Sequence, residues 1–149
     1  MIALLISALL GVSAEKLEEA RDLFTTVADN EDSCENLIEL TSNYTLDFDP
    51  TIYAYHAAAT MTMANHVIWP TSKLSYFNEG KKKLETAIKK YPNNIEIRYI
   101  RFAVQKGSPD FLGYRKNMQE DKSKIQQNID KMNWNSEFKS IVRKVIATT

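Results

Sequence analysis

Residues 93–105, "NNIEIRYIRFAVQ", place two arginines three apart in a stretch that is otherwise nearly all apolar. Projected at about 100° per residue, Ile97, Ile100 and Val104 form one face of a helix, and Ile95, Tyr99 and Phe102 form another nearly opposite. Arg98, Arg101 and Gln105 lie together in a narrow polar stripe between the two. Two guanidiniums beside an amide can hold a carboxylate or an acidic peptide through bidentate hydrogen bonds. The same stripe suits an internal task, in which Glu120, Asp121 or Asp110 pairs with the arginines and fixes helix register without any ligand. Sequence alone leaves both open.

The other reactive residue types do not assemble into a reaction centre. Cys34 is the single cysteine, so it has no intramolecular disulfide partner and makes no Cys-based zinc site by itself. His56 and His66, ten apart on one expected helix, point about 80° away from each other, which argues against a shared metal. A Gly-rich phosphate loop, a nucleophile elbow, paired catalytic carboxylates and an HExxH pattern are all missing. The expectation is a non-catalytic protein that needs neither cofactor nor metal. "SPDFLGY", with Asp110, Phe111 and Tyr114 around Gly113, reads either as a binding loop at a groove mouth or as an aromatic plug beneath a helix connection.

Nineteen basic and nineteen acidic side chains cancel, which removes the cationic field expected of a nucleic-acid binder. The Lys81 to Lys83 run, with Lys89 and Lys90, is then a solvated helix face. A chain of 149 residues makes one domain, and four glycines and four prolines leave little turn chemistry for an all-β fold. Residues 1–14 are uncharged and close in Val-Ser-Ala, as a signal-peptide core with a small-residue cleavage site does. That run falls short of the roughly twenty apolar residues a span requires, so no stable membrane span is expected. Export to a periplasmic or secreted location follows from this reading. The competing reading makes residues 2–14 the first turns of a core helix.

The remaining chain, 15–149, reads as about seven helices, with no run of period-two alternation long enough for a strand. Leu17, Ala20, Leu23, Phe24, Val27 and Ala28 mark the first helix, and Asp32 or Ser33 caps the second. The third, about Thr51 to Ile68, contains no Asp, Glu, Lys or Arg and is expected at the centre of the bundle. Thr71 or Ser72 caps the fourth, whose apolar stripe includes Phe77, Gly80, Leu84 and Ala87. The fifth runs from about Asn94 to Lys106. Ser136 is the expected cap of the last.

Gly80, Leu84, Ala87 and Pro92 reproduce the spacing of the second half of a tetratricopeptide repeat, a helix hairpin of about 34 residues. "AIKKYPNN" is similar to the turn between such repeats, and Tyr53 and Ala57 fit aromatic and small positions of the first helix. The segment 51–105 therefore resembles the tetratricopeptide-repeat-like (TPR-like) family, and the chain resembles small exported bacterial helical proteins of that type. The resemblance implies an all-α fold of antiparallel helical hairpins stacked as an α-α superhelix, with the first helix of each pair lining a concave groove. It also implies a protein or acidic peptide segment as partner, held in that groove near Arg98, Arg101 and Gln105. The alternative is a structural or assembly subunit of a cell-envelope complex.

Overall fold

The computed structural model describes residues 14–148, and all its regular structure is helical, with no strand among the described residues. Seven helices follow one another: α1 over 14–24, α2 Glu31–Thr41, α3 Pro50–Thr62, α4 Pro70–Lys90, α5 Ile95–Gly107, α6 Met118–Asn128 and α7 Ser136–Ala147. Single 3-10 turns at Met63–Asn65, Asp110–Leu112 and Ile129–Lys131 tighten the exits of α3 and α6 and the α5–α6 connection. The all-α class and the helix count agree with the sequence. Of the expected leader, residues 1–13 lie outside the described residues.

Four helices start at an Asn or Asp whose side chain accepts from the third amide of the helix. The pairs are Asn30 with Ser33, Asp49 with Ile52, Asn94 with Ile97 and Asn135 with Phe138, at 2.8–3.1 Å. Three starts differ from the sequence reading. Asn30 and Asn135 take the caps expected of Asp32 or Ser33 and of Ser136, because an Asn side chain upstream already satisfies the first-turn amides. Helix α4 begins at Pro70 with Trp69 ahead of it. Proline presents no N–H and is preset for the first helical position, so neither Thr71 nor Ser72 is required as a cap.

Helix α3 also ends earlier than expected, at Thr62. At the end of the 3-10 turn, Asn65 Nδ2 and His66 Nε2 donate to the carbonyls of Ala28 and Val27, 3.3 and 2.7 Å away. Those bonds tie the α3 exit to the α1–α2 turn.

Helix α3 is the hub expected from its lack of charge. It packs on α2, α4 and α5 and buries eight of its thirteen residues, three of them consecutive alanines, Ala57–Ala59. Small side chains permit close approach, and the α3–α4 crossing uses it. A Cβ on Gly80 would stand 2.3 Å from Met61 Cγ and 2.5 Å from the Ala57 carbonyl oxygen. Helix α5 is the second hub, in contact with α3, α4, α6 and α7. Nine of its thirteen residues are buried, and four of those are Glu96, Arg98, Arg101 and Gln105.

Candidate functional site

The predicted stripe of Arg98, Arg101 and Gln105 is intact on α5, but it faces α6 and is closed to solvent. Arg101 is 4% exposed and Gln105 fully buried. Arg101 grips Asp121 bidentately, Nε to Oδ2 at 2.7 Å and Nη2 to Oδ1 at 2.9 Å. Its Nη1 donates to Glu85 on α4, 3.1 Å away. Arg98 donates to Asp121 Oδ1 at 2.8 Å, to Glu120 at 3.2 Å and to the Pro92 carbonyl at 2.7 Å. Gln105 Nε2 donates to Asn117 Oδ1 at 3.0 Å, ahead of α6.

Each of the three side chains thus has partners within the chain: carboxylates of α4 and α6 for the arginines, with the Pro92 carbonyl for Arg98, and Asn117 for Gln105. Of the carboxylates considered as internal partners, Asp121 and Glu120 serve, whereas Asp110 pairs with Arg115 at 3.0 Å. Burial works against the Arg101 cation, yet the hydrogen bonds and charge of Asp121 and Glu85 outweigh it and raise its pKa. Arg101 is a fixed cation.

A second buried ion pair escaped the sequence reading. Arg21 on α1 and Glu96 on α5, 75 residues apart, form two hydrogen bonds of 2.8 Å. Tyr55 of α3 donates its hydroxyl to Glu96 Oε1 at 2.7 Å, and the Arg21 guanidinium lies 4.5 Å from the centre of the Phe138 ring of α7. Three helices thus meet at one carboxylate, and α7 packs over its guanidinium partner. Burial, reinforced by the Glu96 charge, holds the Tyr55 hydroxyl well above the usual tyrosine range, so it stays a donor. An acidic residue in the first turn of a helix is unremarkable in sequence, because it complements the helix dipole. The one available signal was that Glu96 breaks the same apolar stretch as the arginines.

The accessible cavity lies elsewhere. A cavity of about 870 Å³ opens between the N-terminal half of α4, the outer face of α5, and α7. Val27 and Ala28 of the α1–α2 turn close one end. Leu74 and Phe77 form one wall, Tyr99 and Val104 the floor, and Ile141 and Val145 the other wall. Phe111, 87% exposed, and Leu74, 53% exposed, stand at its rim, and Ile68 and Trp69 lie exposed just before Pro70, itself a lining residue. The size is that of a ligand cleft.

The "SPDFLGY" loop divides, Tyr114 packing as the aromatic plug while Phe111 stays exposed beside the cavity. Phe111 reaches the groove mouth. Gly113, at φ 63°, then supplies the left-handed turn that sends Tyr114 inward. Tyr114 is buried edge-on against Phe77, centroids 5.9 Å apart, and donates to Glu85 at 2.6 Å.

The lining of the groove includes three small hydroxyl side chains. The hydroxyls of Thr25, Thr62 and Ser108 each donate to a backbone carbonyl three or four residues earlier, at 2.7–2.9 Å. Cys34 lies away from it, its Sγ 3.2 Å from the Ala59 carbonyl, and burial with the charges of Glu35 and Glu31 pushes its thiol up to about 11. Among the described residues no group of three or more His, Cys, Asp or Glu side chains could hold a metal ion, and no helix is long and apolar enough to cross a membrane. No protein-family model, curated protein or solved structure matches the chain.

Proposed function

We propose that this protein is a non-catalytic interaction module whose apolar groove receives the apolar face of a helical segment of another protein. The carrying observation is the open cavity with Leu74 and Phe111 at its rim and exposed Ile68 and Trp69 beside it. An amphipathic helix docks by inserting large apolar side chains at i, i+3, i+4 and i+7 into such a groove. Aromatic and aliphatic anchors in a desolvated centre then carry most of the affinity. The buried arginine stripe takes no part.

Panning a displayed library of helices of about eighteen residues, with Leu, Ile or Phe at those spacings, tests the reading. Binders that weaken about tenfold or more on the Leu74→Ser/Phe111→Ser protein support it. A library without binders, or binders indifferent to the double substitution, overturns it.

The apolar character of the groove also favours the second reading, a fixed subunit of a cell-envelope assembly, since a permanently exposed apolar face invites aggregation. Light scattering on the purified chain separates the two. A stable oligomer dispersed by Leu74→Ser/Phe111→Ser supports the fixed subunit, and a monomer supports transient recognition.

A further inference from the structure

The charged lining of the groove has one sign. Lys73 on α4 and Lys106 in the last turn of α5 reach it from two helices, and no carboxylate among the described residues lines it. The hydrogen bonds of both ammoniums go to uncharged acceptors. Lys73 donates to the Ala64 carbonyl at 2.9 Å, and Lys106 donates to the Val145 carbonyl at 2.8 Å and to the Thr148 hydroxyl. Carbonyls at a helix C-terminus supply at most about half an elementary charge. The pattern contrasts with Arg21, Arg98 and Arg101, each of which meets at least one carboxylate. Among the described residues, the groove therefore pairs an apolar floor with two cations that no side-chain carboxylate offsets.

Resting on the groove reading, we propose that the occupant is an apolar helical segment of another protein whose flanks carry carboxylates that meet Lys73 and Lys106. Apolar burial supplies the affinity, and the two lysines select against basic flanks, because like charges brought together at a rim are penalised. A protein segment fits better than a single acyl chain because the apolar surface continues outside the cavity. Phe111 projects from the rim, and Ile68 and Trp69 precede the wall, where a ligand swallowed by the cavity would leave them wet.

The test randomises the flanks of the same helix library among Glu, Gln and Lys. Selected helices enriched in flanking Glu, losing that enrichment on the Lys73→Gln/Lys106→Gln protein, support the proposal. A synthetic Glu-flanked helix is expected to bind roughly three- to tenfold tighter than its Lys-flanked twin at low salt, with the gap closing at high salt. Lys106 caps α7, so Lys73→Gln alone, at an exposed position, is the second variant, and it halves the preference on a logarithmic scale. Equal selection of all flanks overturns the acidic partner while the groove reading stands. Failure to select any helix, with or without binding of hexadecanoate, overturns both.

Discussion

Arg101 and Asp121 face each other across α5 and α6 as a bidentate pair, and Arg98 donates to the same carboxylate from one turn earlier. Asp121 is fully buried, so its negative charge is what permits two guanidiniums to sit in the interior. Asp121→Asn keeps the shape and removes the charge. The expected cost is about 3–5 kcal/mol, a fall in melting temperature of roughly 10 °C or more. Glu120 is 58% exposed, and Glu120→Gln should cost under about 1 kcal/mol. Thermal melts of the two variants at neutral pH check the contrast; similar melts would mean that the interior anion is not what holds α6 down.

The Tyr55 hydroxyl is one of three donors to Glu96, and the other two come from Arg21. Tyr55→Phe leaves the bidentate pair in place and is expected to cost about 1–2 kcal/mol. Arg21→Met strands the carboxylate and should cost more, about 3–5 kcal/mol. A double-mutant cycle between Arg21→Met and Glu96→Gln in urea should return a coupling of about 1–3 kcal/mol.

Gly80 and Gly107 both lie in helices and should respond oppositely to alanine. Alanine gains up to about 1 kcal/mol of helix propensity at an interior site. At Gly80 the new methyl meets the backbone of Ala57 and Met61 at 2.5–2.6 Å, and overpacking of that kind costs about 1–3 kcal/mol or more. At Gly107 nothing lies within 4 Å of the added carbon. Gly80→Ala is therefore expected to lower the denaturation midpoint, and Gly107→Ala to leave it unchanged or raise it slightly.

His56 gives a pH signature. Thr41 Oγ1 donates to the Leu37 carbonyl at 2.6 Å and lies 3.0 Å from His56 Nδ1, so the network assigns the ring proton to Nδ1. Burial, then the charge of Lys83, lowers the His56 pKa, while the Ile38 carbonyl and Glu79 pull weakly the other way. The folded chain thus resists a proton that the unfolded chain accepts near pH 6.5. Stability contributed by neutral His56 is complete above that pH and falls as the pH drops toward the folded value. The slope for one proton does not exceed about 1.4 kcal/mol per pH unit. Asp47, whose pKa Lys90 lowers through a hydrogen bond, acts in a lower window, below 3.8. Melts between pH 7.5 and 5 should show a slope in the wild type that His56→Gln flattens.

Helix faces were legible because they repeat locally. Leu84 and Ala87 could be placed in the core, and α3 at its centre, from spacing and missing charge alone. The arginine stripe was legible as a stripe, and two of its carboxylates could be named because Glu120 and Asp121 lie on the next helix along the chain, whereas Glu85 on α4 was missed. Whether the stripe faced solvent or α6 could not be read, since both its flanks are apolar and the projection has no outside. Arg21 with Glu96, and a groove assembled from residues as distant as Val27 and Val145, depend on how helices stack. No local period records that.

Helix α5 offers opposite charges to its two sides, a carboxylate toward α1 and two guanidiniums toward α6. An incorrectly docked α1 would bring Arg21 against Arg98 and Arg101, and an incorrectly docked α6 would bring Asp121 against Glu96. Either mistake buries like charges together. The two ion pairs therefore act as a polarity key for assembly: a swapped arrangement with equally good apolar contacts is penalised by the like charges it would bury.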